Sequence, residues 1–341
     1  MPSSTSSSSD RIPDAPYMSQ WFVTIAVFLL CIAIYECYWR YRGFGPDIAD
    51  TKDFWCQSRN NVYGASPRGV LVIAGLSRAH IGLVPAVIET EIPELEVVQL
   101  AIDGTSPWNV VSDLCRDEKF NGILLVSTIY GLDTEMPPDL ALEYIDHYHR
   151  RFAPFRFVDR RLNTAIGARL QSGMGIFSAS LSFPRLANSR FHMKSQYVTM
   201  LADRYRPAHY RERMTPEELS RYREYRVQRA TRDTRRVDRQ DFEIGMSRLR
   251  GMNEELLSRG GKMVMVRMPT TAEHWEADQQ RAPKDLFWDR ITRLSGVPTI
   301  HFADYEFLRS FDCPDTSHLD ASDAPEFTRK LVSVLLAESG T

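Results

Sequence analysis

The sequence is poor in cysteine, and its few thiols lack the spacing of a metal centre. Only five cysteines occur in 341 residues, namely Cys31, Cys37, Cys56, Cys115 and Cys313. They form no C-x-x-C pair and have no nearby histidine pair, which argues against a zinc site. The first two lie in or beside the apolar segment described below. The other three therefore allow at most one disulfide bond, whose presence the sequence leaves open.

The sequence also lacks an excess of charge and a nucleotide-binding glycine run. It has 42 Lys and Arg residues against 44 Asp and Glu residues, a balance that gives no argument for nucleic acid as a partner. Gly75 follows the first predicted strand without a G-x-G-x-x-G pattern, which disfavours a dinucleotide-binding Rossmann domain. No metal or organic cofactor is implied. The length suits one large α/β domain together with an anchor.

One stretch near the N-terminus lacks charge altogether. Residues 17–35 contain no charged side chain, and their length of about 19 residues matches one membrane crossing. Trp21 lies near one end and Tyr38 and Trp39 near the other, like interfacial aromatic belts. We expect a disordered serine-rich tail over residues 1–16 and an uncleaved transmembrane anchor over residues 17–39. A buried core helix and a cleaved signal peptide are less favoured, since the stretch is long and a basic start is missing.

The orientation of this anchor is ambiguous. Arg11 is the only basic side chain before it, whereas Arg40, Arg42 and Lys52 follow it. The positive-inside rule taken alone keeps the large domain in the cytoplasm, although long domains translocate largely regardless of charge. The charges therefore leave the side of the membrane open.

Beyond a linker over residues 40–67, apolar β-branched runs alternate with helical spacers. This alternation predicts an α/β domain over residues 68–341 with a doubly wound, mostly parallel five-stranded sheet, a flavodoxin-like three-layer sandwich. A closing helix is expected over Ala324–Ala337. The predicted strands are Val70–Ala74, Leu95–Ile102, Gly122–Thr128, Lys262–Arg267 and Pro298–Phe302.

A helical insertion over residues 135–259 separates the third and fourth strands. Thr215–Arg259 has helical character, with Thr215 as N-cap and Pro216 as the first helical residue. Residues 203–239 are crowded with arginine and tyrosine. This composition fits a cationic, aromatic surface for an anionic glycan, a lipid headgroup or a protein partner. A solvated helix with intrahelical charge pairs is the favoured interpretation, because charge runs are usually solvated faces.

Two distant segments carry residues for nucleophilic chemistry. Ser77 follows the first strand, at the sheet edge where ligands usually bind in open α/β sheets. Near the C-terminus, Asp315 and His318 are three residues apart, a spacing that puts both on one face of a helical turn. Serine needs a base to take its proton, and histidine needs an acceptor that fixes its tautomer. We expect these three side chains to meet.

Further residues near these segments are candidates for binding. The backbone N–H groups of Ser77 or Arg78 and of Gly104 are candidate oxyanion donors. His80 is a rival base, although its position on the outgoing helix is expected to turn it away. Arg78 and Arg267, which ends the fourth strand, are candidates for contacting a substrate carboxylate or phosphate.

These blocks together resemble the SGNH (GDSL-type) hydrolase superfamily. More narrowly, they resemble its membrane-anchored branch, which serves alginate or other exopolysaccharide acetylation and teichoic-acid D-alanylation. The resemblance covers the chain from about Val70 to its end without the helical insertion. The matching segments are Gly75–Arg78, Ile102–Ser106, Asp315–Asp320 and Ala324–Thr328. It implies Ser77 as nucleophile, His318 as base, Asp315 as its orienting acid and Gly104 as an oxyanion contributor.

The chain departs from the family pattern at two places. Leu76 stands where the family usually has an aspartate, and Ser127–Gly131 lacks the usual oxyanion asparagine. Asn109 follows Gly104 closely, but its position matches that role poorly. These departures weaken the interpretation as a simple soluble esterase.

The resemblance implies a membrane-anchored O-acyltransferase, with acetyl as the expected acyl group and a cell-surface polysaccharide as acceptor. The expected location is the bacterial cytoplasmic membrane with the catalytic domain in the periplasm. A membrane-bound O-acyltransferase or glycan synthase is an expected partner. The alternatives are an esterase or deacetylase of the same fold and a non-catalytic subunit of a polysaccharide synthesis or export complex.

Overall fold

The computed structural model describes residues 17–63, 69–129, 140–152, 158–182, 196–232 and 235–339. The predicted tail over residues 1–16 lies outside these ranges, as do residues 64–68 of the predicted linker and residues 135–139 at the start of the predicted insertion.

Five parallel strands form one sheet in the order β2-β1-β3-β4-β5. The central strands pair in close register, with Ala74 opposite Val126 and Val126 opposite Met265. The interior positions of these strands are apolar because helices cover both faces of the sheet. The prediction of an α/β fold with a parallel sheet is thereby confirmed. The strands are β1 (Gly69–Ala74), β2 (Leu95–Gln99), β3 (Ile123–Ser127), β4 (Lys262–Arg267) and β5 (Thr299–His301).

Helices cover both faces of the sheet, and the sheet separates the hydrophobic core into two clusters. On β1, Val70 and Val72 belong to one cluster, whereas Leu71 and Ile73 belong to the other, as expected when successive side chains alternate between faces. The helices are α1 (Tyr17–Tyr41), α2 (Lys52–Asn61), α3 (Ser77–Gly82), α4 (Pro85–Glu91), α5 (Trp108–Arg116), α6 (Leu140–His147), α7 (Val158–Gly173), α8 (Tyr210–Arg213), α9 (Pro216–Arg232), α10 (Arg239–Ser258), α11 (Ala272–Arg281), α12 (Ile291–Ser295), α13 (Glu306–Arg309) and α14 (Ala324–Ser339).

The segment Thr215–Arg259, for which helical character was expected, contains two helices, α9 and α10. The hydroxyl of Thr215 accepts from the N–H of Glu218 at 3.2 Å, and the Glu218 carboxylate accepts from the N–H of Thr215 at 3.2 Å, a capping box that begins α9. Asp238 begins α10 because its carboxylate accepts from the N–H groups of Gln240 and Asp241. This second cap marks the start of a separate helix within the segment.

Helix α1 is long and apolar enough to cross a membrane, and it is the one helix of the described residues that meets this test. Its C-terminal end is bonded to the folded domain. The Glu36 carboxylate accepts from the N–H groups of Gly175 and Ile176, each at 2.8 Å. Trp39 is buried against Phe44. The apolar helix therefore leaves the domain through a defined junction.

All five cysteines lie in the described ranges and are free thiols. Cys56, Cys115 and Cys313 are buried, so the disulfide left open by the sequence is not formed. Burial raises the pKa of the Cys56 and Cys115 thiols to about 12. These thiols are protonated, apolar parts of the core at neutral pH.

Candidate active site

Ser77 lies where β1 turns into α3 at the C-terminal edge of the sheet. It is the first residue of α3 and is half-buried. The turn depends on Gly75, where a Cβ atom would lie 2.6 Å from the Cβ of Ala79 and 3.0 Å from that of Ser127. The chain can therefore bend tightly enough to present the serine hydroxyl at the sheet edge only without a side chain at this position.

The segment with Asp315 and His318 is a tight turn rather than the helical turn suggested by their spacing. The Asp315 Oδ1 atom accepts from the N–H groups of Ser317 at 2.9 Å and His318 at 2.7 Å. Thr316 has φ of +69°, a left-handed conformation that is strained for a β-branched residue. The carboxylate thus folds the turn around itself, and this folding brings the His318 ring beside it.

The structure brings Ser77, His318 and Asp315 together in one chain of hydrogen bonds. The Ser77 Oγ atom is 2.8 Å from His318 Nε2, although 241 residues separate them. The other ring nitrogen, His318 Nδ1, is 2.7 Å from Asp315 Oδ2. This is the order hydroxyl, imidazole, carboxylate that activates a serine for attack on a carbonyl carbon.

Asp315 is a fully buried carboxylate held in its charged form. Burial alone would raise its pKa, but the charge and hydrogen bond of His318, together with the Arg226 guanidinium, hold the pKa well below its usual range. A charged acceptor at this position fixes the His318 tautomer with its proton on Nδ1, leaving Nε2 to accept from Ser77.

Two side chains from the segment between β3 and β4 also contact this carboxylate. The Tyr210 hydroxyl donates to Asp315 Oδ2 at 3.2 Å, and the Nε atom of Arg226 lies 3.5 Å from the same oxygen. Burial, followed by the Asp315 charge, raises the pKa of Tyr210, so its hydroxyl remains a donor. Sequence reasoning missed both contacts, since only the richness of the segment in arginine and tyrosine pointed to a role.

On the oxyanion side, the candidate residues lie at the edge of the same cleft. Ser77 occupies the first position of α3, where backbone N–H groups have no intrahelical acceptor. Gly104 lines the cleft with φ of +71°, and an added Cβ would meet no atom within 4 Å. Both backbones thus border the space in which a reacting carbonyl would lie.

Arg78 lies in the cleft wall and binds other parts of the protein. Its Nε donates to Ser317 Oγ at 3.2 Å, and its Nη2 donates to His274 Nε2 at 2.9 Å. Burial and the positive charge of Arg78 lower the pKa of His274 to about 3, so that imidazole is neutral and accepts. Arg78 therefore ties the serine helix to the turn that carries His318.

His80, the rival base, is directed elsewhere. It is fully buried, and its Nδ1 is 2.9 Å from Asp103 Oδ1. Arg206 forms an ion pair with the other oxygen of Asp103. Burial would raise the pKa of Asp103, but the His80 hydrogen bond and charge, with Arg206, lower it to about 2. His80 thus supports the loop that carries Gly104.

The structure does not bring Arg267 or Asn109 to Ser77. Arg267 is buried and forms an ion pair with Asp278 while donating to the carbonyl of Met268 at 2.7 Å. Asn109 lies in the first turn of α5, outside the cleft lining. The position of Arg267 at the end of β4 suggested that its side chain would face the cleft, but the side chain instead contacts the loop that follows β4.

The cleft over Ser77 is open and has a volume of about 840 Å³. One wall comes from the sheet edge, with Ser77, Gly104 and His318. The opposite wall comes from the segment between β3 and β4 and includes Tyr222 and Arg226 of α9. Among the described residues, no three His, Cys, Asp or Glu side chains cluster as metal ligands.

Neither the known protein families nor the curated proteins include a significant match to this chain. The site is therefore interpreted from its geometry. A hydrogen-bonded serine, histidine and buried aspartate beside an open cleft define a candidate centre for acyl transfer.

Proposed function

We propose that the protein is an SGNH-like serine acyltransferase in which Ser77, His318 and Asp315 form the catalytic triad. The observation that carries this proposal is the hydrogen-bond chain from Ser77 Oγ through His318 to Asp315. The strand order 2-1-3-4-5, with helices on both faces, supports the finer flavodoxin-like three-layer description.

In the first step, His318 Nε2 takes the Ser77 proton as Oγ attacks the carbonyl carbon of an acyl ester. The negative charge that develops on the carbonyl oxygen is stabilised by the backbone N–H groups of Ser77 and Gly104. The bond to the leaving oxygen then breaks, and His318 gives the proton to that oxygen. In the second step, an acceptor hydroxyl repeats the sequence in reverse on the acyl-Ser77 ester.

The acceptor is a cell-surface polysaccharide, and the acyl group is acetyl. Helix α1 supports a single-pass anchor, because it is apolar and its exposed side chains face away from the domain. The domain lies on the periplasmic side of the bacterial cytoplasmic membrane. A membrane-bound acyltransferase there would supply the acyl group to Ser77.

An esterase of the same fold is a second candidate, favoured by the openness of the cleft. Water enters such a cleft freely, and a transferase needs its acceptor to compete with water. Mass analysis of products from an acetyl ester with an oligosaccharide separates the two activities. Acetylated sugar supports transfer, whereas free acetate as the sole product supports the esterase.

Labelling with a fluorophosphonate tests the triad itself, using the full chain in detergent. Ser77 should react covalently, and Ser77→Ala should abolish labelling. The matched control is Ser322→Ala, an exposed-loop serine bonded to Asp320 away from the triad, which should label at the original rate. Unchanged labelling of Ser77→Ala, or no labelling of the original protein, would contradict catalysis and favour a non-catalytic subunit.

A further inference from the structure

The cleft over Ser77 carries a large excess of positive charge. Among the described residues that line it, Asp103 is the only carboxylate against six arginines. Clefts lined by one sign of charge concentrate the field and attract ligands of the opposite sign. The arginines are Arg78, Arg206, Arg226, Arg229, Arg232 and Arg281.

Three of these arginines have carboxylates of the protein beside them. Arg206 pairs with Asp103, and Arg226 lies 3.5 Å from the buried Asp315. The Nη1 atom of Arg78 lies 3.7 Å from an oxygen of Asp278. Their charges are therefore largely balanced within the fold.

Arg229 and Arg232 differ from those three. Both are exposed, and neither side chain forms a hydrogen bond or an ion pair with a described residue. Beside them, Arg281 of α11 donates to the carbonyl of Ala230. The Arg229 and Arg232 side chains thus have no carboxylate partner in the described part of the chain.

Helix α9 presents these groups to the cleft in a row. Tyr222, Arg226 and Arg229 follow one another at intervals of four and three residues, which places them on one face of the helix. Arginine binds carboxylates and phosphates through two parallel N–H donors, which suits repeated anionic groups along an extended ligand.

The cleft continues past the serine into a second cavity of about 1440 Å³. Tyr197, Val198, Arg206 and Tyr222 line both spaces, so the two form one trench. The volume of the trench is larger than a small acyl ester needs and is large enough for several units of a polymer. Its far part is lined by Arg213 and Arg221, by the end of α1, and also by the carboxylates Glu212 and Glu218.

We propose that the trench binds an extended anionic glycan whose carboxylate or phosphate groups contact Arg229 and Arg232. This inference rests on the proposed function, because the bound chain is then the acceptor whose hydroxyl takes the acyl group from Ser77. The glycan lies along α9, and the tyrosines of the shared section contact its sugar rings.

Two readouts test the inference on the full chain in detergent. The first is the rate of fluorophosphonate labelling with and without oligogalacturonate of rising length, linear polyphosphate or neutral dextran. We expect at least a fivefold slowing by the two polyanions, growing with length and lost at high salt, and no slowing by dextran. The second is fluorescence anisotropy of a labelled oligogalacturonate, which does not depend on Ser77 reactivity.

The variant that removes the unpaired charges is Arg229→Ala with Arg232→Ala. In this variant, the polyanions should slow fluorophosphonate labelling by less than twofold relative to the variant's own rate without polyanion. Its affinity for the labelled oligogalacturonate should fall at least tenfold. The matched control is Arg236→Ala with Arg239→Ala, two exposed arginines outside the trench. This control should keep both protection and affinity.

The outcomes separate the inference from the proposed function. Binding without any labelling contradicts the triad and supports the anionic site. Labelling without polyanion protection or binding overturns the inference, as does equal protection by dextran or protection that survives in the double variant. Slowing by vesicles of phosphatidylglycerol, with no effect of either polyanion, would assign the arginines to a membrane surface and also overturn it. Preference between oligogalacturonate and polyphosphate identifies the anionic group.

Discussion

The sheet edge and the segment between β3 and β4 form opposite walls of one cleft. The two walls differ in the burial and the hydrogen bonding of their polar side chains. At the sheet edge, Ser77, His318 and Asp315 are held by short hydrogen bonds, and the carboxylate is fully buried. On the opposite wall, Arg229 and Arg232 are exposed and have no described partner. Preorganised groups suit chemistry, whereas exposed charges suit recognition of a ligand.

The two walls meet at Asp315, where the comparison can be tested. Tyr210 and Arg226, from the segment between β3 and β4, contact the same Asp315 oxygen that His318 contacts. Arg226, which lines the wall of the cleft opposite Ser77, thus also lies beside the carboxylate that His318 contacts. Variants on either wall should therefore separate effects on chemistry from effects on binding.

The largest expected effect is on the sheet side. Asp315→Asn removes the charged acceptor of His318 Nδ1, so the ring loses the tautomer that accepts from Ser77. Fluorophosphonate labelling should slow by about 10³- to 10⁴-fold, as in other serine triads. Labelling within tenfold of the original rate would mean that the carboxylate does not orient the base.

A second prediction concerns the turn that presents the serine. Gly75→Ala forces a Cβ atom to 2.6 Å from the Cβ of Ala79 and should cost about 1–3 kcal/mol of the free energy of unfolding. The matched control is Gly251→Ala in α10, where the new Cβ meets no atom within 4 Å. This control should gain up to about 1 kcal/mol, because alanine favours helix. Denaturant unfolding measures both, and equal stability of the two variants would contradict the prediction.

A third, smaller effect tests the link between the walls. Arg226→Ala removes a positive charge beside Asp315, and we expect about a tenfold slower labelling of Ser77, or roughly 1.4 kcal/mol. Arg226→Lys should recover part of the rate because it restores the charge. The control Arg223→Ala removes a neighbouring arginine that lies 3.8 Å from Glu273 and outside the cleft lining. An equal loss in both variants would indicate damage to α9 instead.

The last prediction is a dependence of stability on pH, which is small within any one pH unit. His274 has a folded-state pKa of about 3, below the ordinary value of about 6.5, because burial and Arg78 disfavour its charged form. Its contribution is complete above pH 6.5 and is lost as the pH falls from there toward 3, since the unfolded chain then binds the extra proton. The slope is at most about 1.4 kcal/mol per pH unit. His274→Gln keeps an acceptor for Arg78 and should flatten this slope in denaturant unfolding at pH 4–7, and an unchanged slope would contradict the assignment.

Much of the sheet could be predicted from sequence because buried parallel strands are continuous apolar runs. The prediction for β4 matches its observed bounds, the one for β1 begins one residue late, and the one for β3 is one residue too long at each end. The expectation that Ser77, His318 and Asp315 meet is met by the hydrogen bonds between them, and it came from the position of Ser77 after the first strand and the spacing of Asp315 and His318.

Other features depended on contacts that local patterns do not encode. The roles of Tyr210 and Arg226 arise from packing across more than 80 residues, and the same residues on a solvated helix would give the same pattern. The turn at Thr316 arises because the Asp315 carboxylate accepts from the backbone N–H groups of Ser317 and His318, which overrides the helical spacing.

The junction at the end of α1 has a geometric consequence. The Glu36 carboxylate accepts from two backbone N–H groups of the domain, and Arg40 donates to the carbonyl of Gly173. The helix is therefore attached rigidly to the domain rather than through a flexible linker. With α1 perpendicular to a bilayer, the opening of the cleft over Ser77 would keep a fixed distance and orientation relative to the lipid surface. Under the proposed function, a polysaccharide would then approach Ser77 at a fixed distance from the lipid surface and in a fixed orientation.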